Sequence, residues 1–238
     1  MPLDHKIQGF FDFIDARTAF EEVIKQKEIF NMQEKQKISV RKLTLIAMLG
    51  AIAGLLMFYE ISVPFAPPFY KLDFSDVPSI IGTFIMGPLA GIYIEIVKIL
   101  IKLLLKGTST AFVGELVSIV GSILFIVVIH WVYKYGKKGI QAMYLSLGAG
   151  LAFRIVWACI CNVYISLPMY AKIYGWPMEK LIAMGTAVNP KITDMRTFVI
   201  WAIIPFNLLK YSLVCVLVAL LYKALEKTIY RVGEQVND

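Results

Sequence analysis

Residues 61–91 have the sequence ISVPFAPPFYKLDFSDVPSIIGTFIMGPLAG, a proline-rich aromatic loop followed by a short apolar run. Pro78 predicts the first turn of a helix, because a proline loses no hydrogen bond there, and Asp76 is placed to cap that helix. The apolar run over residues 77–86 is shorter than the about 20 residues that an upright membrane span needs. Gly87-Pro88 then turns the chain into another apolar run. A short span behind a rigid loop predicts a cavity that opens on one face of a membrane.

The composition is that of an integral membrane protein. Of the 238 residues, 58% are hydrophobic and 17% are charged, whereas soluble domains carry about 25% charged residues. The apolar runs are continuous rather than alternating at every second residue, which favours helices over an outer-membrane barrel. The formal net charge of +7 is assigned to orientation in the membrane rather than to a nucleic-acid partner, because basic residues gather near the ends of spans.

The fold class predicted from these runs is an all-α integral membrane protein of the plasma membrane. Residues 41–238 are expected to form a compact bundle of six transmembrane helices. Arg41 and Lys42 precede the first span and a basic turn over residues 134–138 follows the fourth, so both termini are predicted to be cytoplasmic. Pro168 is expected to end the fifth span, with an outer loop after it. The predicted spans cover residues 43–59, 77–86, 89–105, 111–133, 142–167 and 197–221.

Residues 1–40 differ from the rest of the chain. They mix acidic and basic residues and lack the basic start and continuous apolar core of a signal peptide. Their scattered apolar residues could form a stripe on one or two short helices. A cytoplasmic N-terminal extension is favoured over a helix on the membrane surface, because acidic residues weaken attraction to lipid head groups.

The sequence contains no recognisable enzyme motif. Cys159, Cys161 and Cys215 lie in apolar runs and are interpreted as small buried residues. His5 and His130 are far apart and have no cysteine or carboxylate beside them, so no metal site is predicted. There is no phosphate-binding loop and no nucleophile–base pair. The chain is therefore predicted to have no catalytic activity, metal or cofactor of its own.

Charged residues inside the third predicted span indicate a polar interior. Glu95, Lys98 and Lys102 return to one helical face, and a charge at the bilayer centre costs about 2.5–3.5 kcal/mol. They are therefore expected to face protein or a wet cavity, with Glu95 paired to Lys98 one turn away. Lys102 and Lys106 could instead extend to the outer surface. A proton path through Glu95 and Lys98 remains one alternative.

The sixth predicted span carries the strongest candidates for ligand binding. Asn207 and Lys210 lie one turn apart, and Tyr211 shares their face. Pro205 predicts a kink just before them. An amide, an ammonium and a phenol on one face suit a ligand with carbonyls and hydroxyls, and a lysine at that depth is by default functional.

The first predicted span is rich in small residues. Ala47 and Ala51 are four residues apart, as are Gly50 and Gly54. This spacing makes a flat strip that another helix can approach closely. The strip either docks a partner protein or packs within the same bundle, and the pattern alone leaves both open.

Four segments carry a resemblance to a known family: KLDFSDVPSIIGTFIMGPLAGIYIEIVKILIK, KGTST, GELVSIVGS and PFNLLKY. Over about residues 41–230 the chain resembles the riboflavin-specific substrate-binding (S) components of energy-coupling factor (ECF) transporters. The resemblance implies six helices, cytoplasmic termini and a vitamin site near the outer face under the first loop. It also implies a shared module made of one membrane protein, EcfT, and two ATPases.

The resemblance also implies roles for particular residues. Asn207, Lys210 and Asn162 match ligand-binding positions of the family, and Ala47 and Ala51 match its contact with EcfT. From loop position, the candidate apolar walls of the pocket are Phe65, Phe69, Tyr70 and Leu72.

The predicted function is that of a high-affinity riboflavin-binding subunit, driven by ATP hydrolysis in separate partner chains. A pocket with apolar walls and a few placed polar groups suits riboflavin, which has a flat three-ring body and a polyol tail. One alternative is the same architecture with another vitamin, such as thiamine or folate. The other is an ion-coupled solo carrier or an intramembrane enzyme.

Overall fold

The computed structural model describes residues 39–108, 110–136 and 139–237. All but the last two residues of the predicted N-terminal extension lie outside this range. The α-helices are α1 (Val40–Phe58), α2 (Asp76–Met86), α3 (Pro88–Lys106), α4 (Val113–Tyr135), α5 (Ile140–Cys161), α6 (Leu167–Tyr174), α7 (Met178–Thr186), α8 (Met195–Phe198) and α9 (Ile204–Asn237). Two π-helical segments, Asn162–Ser166 and Val199–Ile203, and two short strands, β1 (Ile61–Ser62) and β2 (Lys71–Leu72), complete the fold.

Long apolar helices dominate the described part of the chain, which confirms the all-α membrane class. Four segments are long and apolar enough to cross a membrane: Val40–Phe58, Val113–Tyr135, Ile140–Tyr174 and Met195–Ile229. Helix α2 is apolar and has only 11 residues, so the predicted short apolar helix is present. Helix α3 has 19 residues, and its charged side chains Glu95, Lys98 and Lys102 are buried.

The two ends of the bundle differ in composition. At one end, Ile46 near the start of α1 packs with Met86 at the end of α2 and with Val232 near the end of α9. At the other end of α1, Met57 and Glu60 line a cavity. Ile46 and Met57 are 11 residues apart on α1, so these two regions are separated by about 17 Å along the helix.

The small residues of α1 divide between two faces. A Cβ added at Gly50 would lie 2.6 Å from Val97 Cγ1, and one added at Gly54 would lie 2.6 Å from Ile101 Cγ2. These two glycines therefore allow α3 to pack closely against α1. Ala47 and Ala51 are exposed on another face of the helix. Packing within the bundle thus accounts for Gly50 and Gly54 but not for the two alanines.

The fifth span does not end at Pro168, which was the prediction. The Leu167 N–H donates to the carbonyl of Asn162, five residues back, in the wider turn of a π-helix. Pro168 then stands in the first turn of α6, where a proline loses no hydrogen bond. The helix continues to Tyr174, and the predicted outer loop also contains α7.

The last helix is longer than predicted. The sequence predicted a kink at Pro205. The structure has a second π-helical segment that ends at Ile203, two residues before this proline, so the helix is irregular there through a π turn. Helix α9 then runs for 34 residues, or about 51 Å at 1.5 Å per residue. This length exceeds the about 30 Å of a hydrocarbon core, so part of α9 extends past it.

Candidate ligand-binding cavity

A cavity of about 470 Å³ lies at the end of the bundle where α1 ends and α2 begins. Helices α3, α4, α6, α7 and α9 and the loop before β2 all contribute to its lining. Its size falls within the range of small-molecule sites. The lining residues are Met57, Glu60, Pro68, Phe69, Lys71, Asp73, Lys102, Thr110, Gly114, Glu115, Ser118, Tyr170, Tyr174, Trp176, Leu181, Met184 and Lys210.

Part of the lining is a group of aromatic rings. Tyr174 and Trp176 stack with ring centroids 5.1 Å apart and an interplanar angle of 29°. Tyr170 lies 6.3 Å from Tyr174 and 6.2 Å from Phe69, measured between ring centroids. These contacts join the loop before β2 to the segment after the fifth span. Flat apolar surfaces of this kind suit a planar ligand.

Charged side chains in the lining form ion pairs. Lys210 Nζ lies 2.7 Å from Asp73 Oδ2, and Lys71 Nζ lies 3.1 Å from Glu60 Oε1. Lys102 is paired with Glu115. Among the described lining residues, three ammonium groups therefore balance three carboxylates.

The two lysines at the end of α3 have different surroundings. Lys106 is exposed, as expected, and joins Lys71 in binding Glu60. Lys102 is buried and lines the cavity, as predicted for a charge that faces protein or a wet cavity, and Glu115 offers it a carboxylate there. Glu115 also accepts hydrogen bonds from Thr110 Oγ1 at 2.8 Å and from Thr108 Oγ1 at 3.1 Å. Thr108 and Thr110 of the KGTST segment thus bind a lining carboxylate, and Thr110 also lines the cavity itself.

Asp73 is held from two sides. Its Oδ2 accepts from Lys210, and its Oδ1 accepts from the backbone N–H of Ser75 at 3.0 Å and from the Ser75 hydroxyl. Burial acts to raise the pKa of Asp73, but the Lys210 and Lys98 ammonium groups together outweigh it, so the pKa lies below its ordinary value of 3.8. Asp73 is therefore a carboxylate at neutral pH.

Asp76 does not cap α2, which corrects the prediction. Ser75 occupies the N-cap position in a helical conformation, so the Asp76 side chain points into the bundle. Its Oδ1 accepts from Lys98 Nζ at 2.7 Å and from Ser122 Oγ at 3.0 Å. The predicted Glu95–Lys98 pair is confirmed. This inner cluster is fully enclosed, since the side chains of Lys98 and Glu95 are both 0% exposed.

Tyr211 lies behind the cavity rather than on its surface. It is buried, and its hydroxyl accepts from Arg154 Nη2. The Arg154 guanidinium also lies 4.6 Å from the centroid of the Tyr211 ring, a cation–π contact. A Cβ at Gly121 would collide with this guanidinium, so the glycine in GELVSIVGS makes room for it.

The two candidate asparagines flank the π-helical segments. Asn162 Nδ2 donates to Ala158 O, and Asn207 Nδ2 donates to Ile203 O, each at 2.8 Å. The oxygen of Asn162 accepts from the Tyr70 hydroxyl at 2.7 Å. Burial raises the pKa of Tyr70 well above its ordinary value, which keeps this donor protonated. Both asparagines therefore satisfy backbone carbonyls next to π turns, which occur often at functional sites.

The structure separates the predicted site residues into two groups. Lys210 and Phe69 line the cavity. The remaining candidates lie outside its lining: Asn162, Asn207, Tyr211, Phe65, Tyr70 and the buried Leu72.

Sequence reasoning missed several lining residues. Asp73 and Glu115 stand in the segments that carry the family resemblance, LDFSDVP and GELVSIVGS. The aromatic residues Tyr170, Tyr174 and Trp176 belong to the segment predicted as a long outer loop. Two features of the sequence could have indicated these lining residues. One is a carboxylate at the end of a membrane span, and the other is a group of aromatic residues in a long loop.

The profile of one family matches most of the chain. Its description is "ECF transporter, substrate-specific component", and it covers residues 41–222. The chain belongs to this family. It is thus a component of a transporter rather than an enzyme, as predicted.

Named relatives cover the same region. The riboflavin transporter RibU of Staphylococcus aureus (strain TCH60) is 30% identical over 202 residues, which are 85% of this chain and 96% of that protein. The riboflavin transporter FmnP of Bacillus subtilis (strain 168) is 30% identical over 188 residues, covering 78% of this chain and 92% of its own length.

A solved structure resembles the fold. It is described as "Structure and mechanism of the S component of a bacterial ECF transporter". It superposes with a TM-score of 0.57 at 28% sequence identity, covering 79% of this chain and 96% of that chain. The fold of that S component is therefore the appropriate frame for the cavity.

Proposed function

We propose that this chain binds riboflavin in the cavity and delivers it to an ECF module of one EcfT protein and two ATPases in the plasma membrane. The observation that carries the proposal is the cavity itself, in which four aromatic rings face a set of paired charges. The S. aureus and B. subtilis relatives named as riboflavin transporters support the choice of vitamin.

The charge balance of the lining favours a neutral vitamin. Each lysine in the described lining has a carboxylate partner, so neither a cation nor an anion would find an unpaired countercharge there. Thiamine is a cation and folate carries carboxylates, whereas riboflavin is uncharged. An unpaired buried charge is costly, which favours riboflavin over both alternatives.

We propose direct contact with the vitamin for Lys210 and Phe69. The rings of Tyr170, Tyr174 and Trp176 offer apolar surface for the flavin rings. Asn162, Asn207, Tyr211 and Leu72 would support these contacts from behind. Each asparagine keeps a second amide N–H after its bond to the backbone carbonyl.

The opposite end of the bundle would serve the partner. Ala47 and Ala51 are exposed on α1, where EcfT could approach the backbone closely. The start of α1 and the end of α9 lie together at the end away from the cavity. We therefore propose that both termini face the cytoplasm while the cavity faces outward.

Fluorescence quenching of riboflavin by the detergent-purified chain tests this function. We expect quenching that saturates at about one vitamin per chain, as for one enclosed pocket. Replacing a cavity aromatic, Trp176→Ala, should weaken binding by about 1–3 kcal/mol through lost ring contact. Trp131→Ala is the matched control, because Trp131 is 60% exposed and lies outside the cavity lining.

Two results would overturn the proposal. One is binding of thiamine or folate by a chain that does not bind riboflavin. The other is riboflavin uptake that survives loss of the partner ATPases, which would favour a solo carrier.

A further inference from the structure

We infer that Asp73 is a positioning residue: its carboxylate fixes the Lys210 ammonium so that this cation presents its remaining N–H groups to the ligand. The inference rests on the proposed function and adds a residue to the same site. It starts from the one hydrogen bond that Lys210 makes within the described part of the chain, to Asp73 Oδ2 at 2.7 Å.

Lys210 needs such a partner to hold a defined position. Its ammonium sits on a flexible four-carbon stem, and its side chain is 14% exposed. A nearby ring, that of Tyr211, is 5.8 Å from the ammonium, a distance that gives weak orientation. An ammonium has three N–H donors, so the bond to Asp73 leaves two for a ligand in the cavity.

Asp73 is itself held before any ligand arrives. Two donors from Ser75, the backbone N–H and the hydroxyl, bind its Oδ1 and leave Oδ2 for Lys210. Asp73 belongs to the loop that leads into α2, whereas Lys210 belongs to α9, 137 residues later. The pair therefore fixes the cation relative to the loop that lines the cavity.

The other two pairs of the lining provide a comparison. Glu60 is shared between Lys71 and Lys106, so its carboxylate is not dedicated to one lysine. Glu115, like Asp73, gives one oxygen to a single lysine, and its other oxygen accepts from the Thr108 and Thr110 hydroxyls. The Lys102 side chain is 8% exposed and the Lys210 side chain is 14% exposed, so the Asp73 pair holds the more accessible of these two cations.

A double-mutant cycle on riboflavin affinity tests the inference. The variants are Asp73→Asn, Lys210→Met and the combination of both, each measured by fluorescence quenching. We expect Asp73→Asn to weaken riboflavin binding about tenfold or more, as for loss of a charged hydrogen bond. In the Lys210→Met background the same change should alter affinity less than about twofold, because its effect passes through Lys210.

A conservative variant and a control complete the experiment. Asp73→Glu should recover part of the affinity lost in Asp73→Asn, since it restores a carboxylate for Lys210. Asp194→Asn makes the same chemical change at an exposed helix cap outside the cavity, where asparagine also caps well. We expect it to bind riboflavin as the unmodified chain does.

Equal losses from Asp73→Asn in both backgrounds would overturn the inference, because they would mean direct contact between Asp73 and the ligand. Unchanged affinity in Asp73→Asn would also overturn it. If Asp73→Asn fails to fold, the folded double variant compared with Lys210→Met alone still reports whether Asp73 acts without Lys210. A chain that binds no riboflavin in any form would instead refute the proposed function.

Discussion

Asp73 and Asp76 lie three residues apart, and each pairs with a lysine from another helix at 2.7 Å. The Asp73 pair lines the cavity, and its lysine side chain is 14% exposed. The Asp76 pair lies inside the bundle, and its lysine side chain is 0% exposed. The same type of ion pair thus occurs in two environments: one is accessible from the cavity, and the other is enclosed by protein. We therefore propose that exposure to the cavity, rather than residue type, distinguishes the pair that binds a ligand from the pair that stabilises the bundle.

The largest effect is expected at the inner cluster. Lys98→Met would leave Asp76 and Glu95 buried without their shared cation, and breaking a buried pair costs about 3–5 kcal/mol. Thermal unfolding of the ligand-free protein in detergent should show this as a marked drop in Tm. An unchanged Tm would mean that the inner cluster contributes little to the fold.

The matched change at the cavity should separate binding from stability. Lys210→Met removes a donor to the ligand, and hydrogen bonds to charged groups contribute about 1.5–3 kcal/mol. We expect riboflavin affinity to fall by that amount while the Tm of the ligand-free protein falls less than in Lys98→Met. The reverse pattern, with affinity kept and stability lost, would remove Lys210 from the site.

Gly50 and Ala51 are neighbours on α1 but lie on different faces of the helix, so substitutions there can separate packing from docking. Gly50→Leu should destabilise the bundle by about 1–3 kcal/mol, because a Cβ there already crowds Val97. Ala51→Leu introduces the same side chain at an exposed position, so we expect normal stability and riboflavin binding but loss of copurification with the ECF module. Copurification that survives in Ala51→Leu would exclude this face as the docking surface.

The smallest effect concerns pH. Because the pKa of Asp73 lies below 3.8 in the folded protein, its contribution is complete above that value and is lost only as the pH falls through the lower folded pKa. The ratio of riboflavin affinities between the unmodified chain and Asp73→Asn should therefore be the same at about pH 7 and about pH 5. A ratio that shrinks at about pH 5 would show that Asp73 takes up a proton in this range.

The two aspartates also show which structural features could be predicted from the sequence. The segment LDFSDVP indicated a functional loop and the short helix after it, and the spacing of Glu95 and Lys98 predicted their pairing one turn apart. Both are local features, since helical periodicity decides which residues of one helix share a face. The prediction for Asp76 failed because a cap and an inward ion pair use the same residue type at nearly the same position.

The sequence by itself determined the membrane class, the short apolar helix after the first loop and the presence of a lysine within the last apolar run, because burial of apolar runs and the cost of intramembrane charge depend on composition and short spacing. Only the tertiary structure decided that Lys210 meets Asp73, that Lys102 meets Glu115, and that Gly50 rather than Ala51 faces α3. Residues in these contacts are up to 137 positions apart. Their meeting depends on how whole helices pack and rotate against one another, and such packing is set jointly by side chains from several helices.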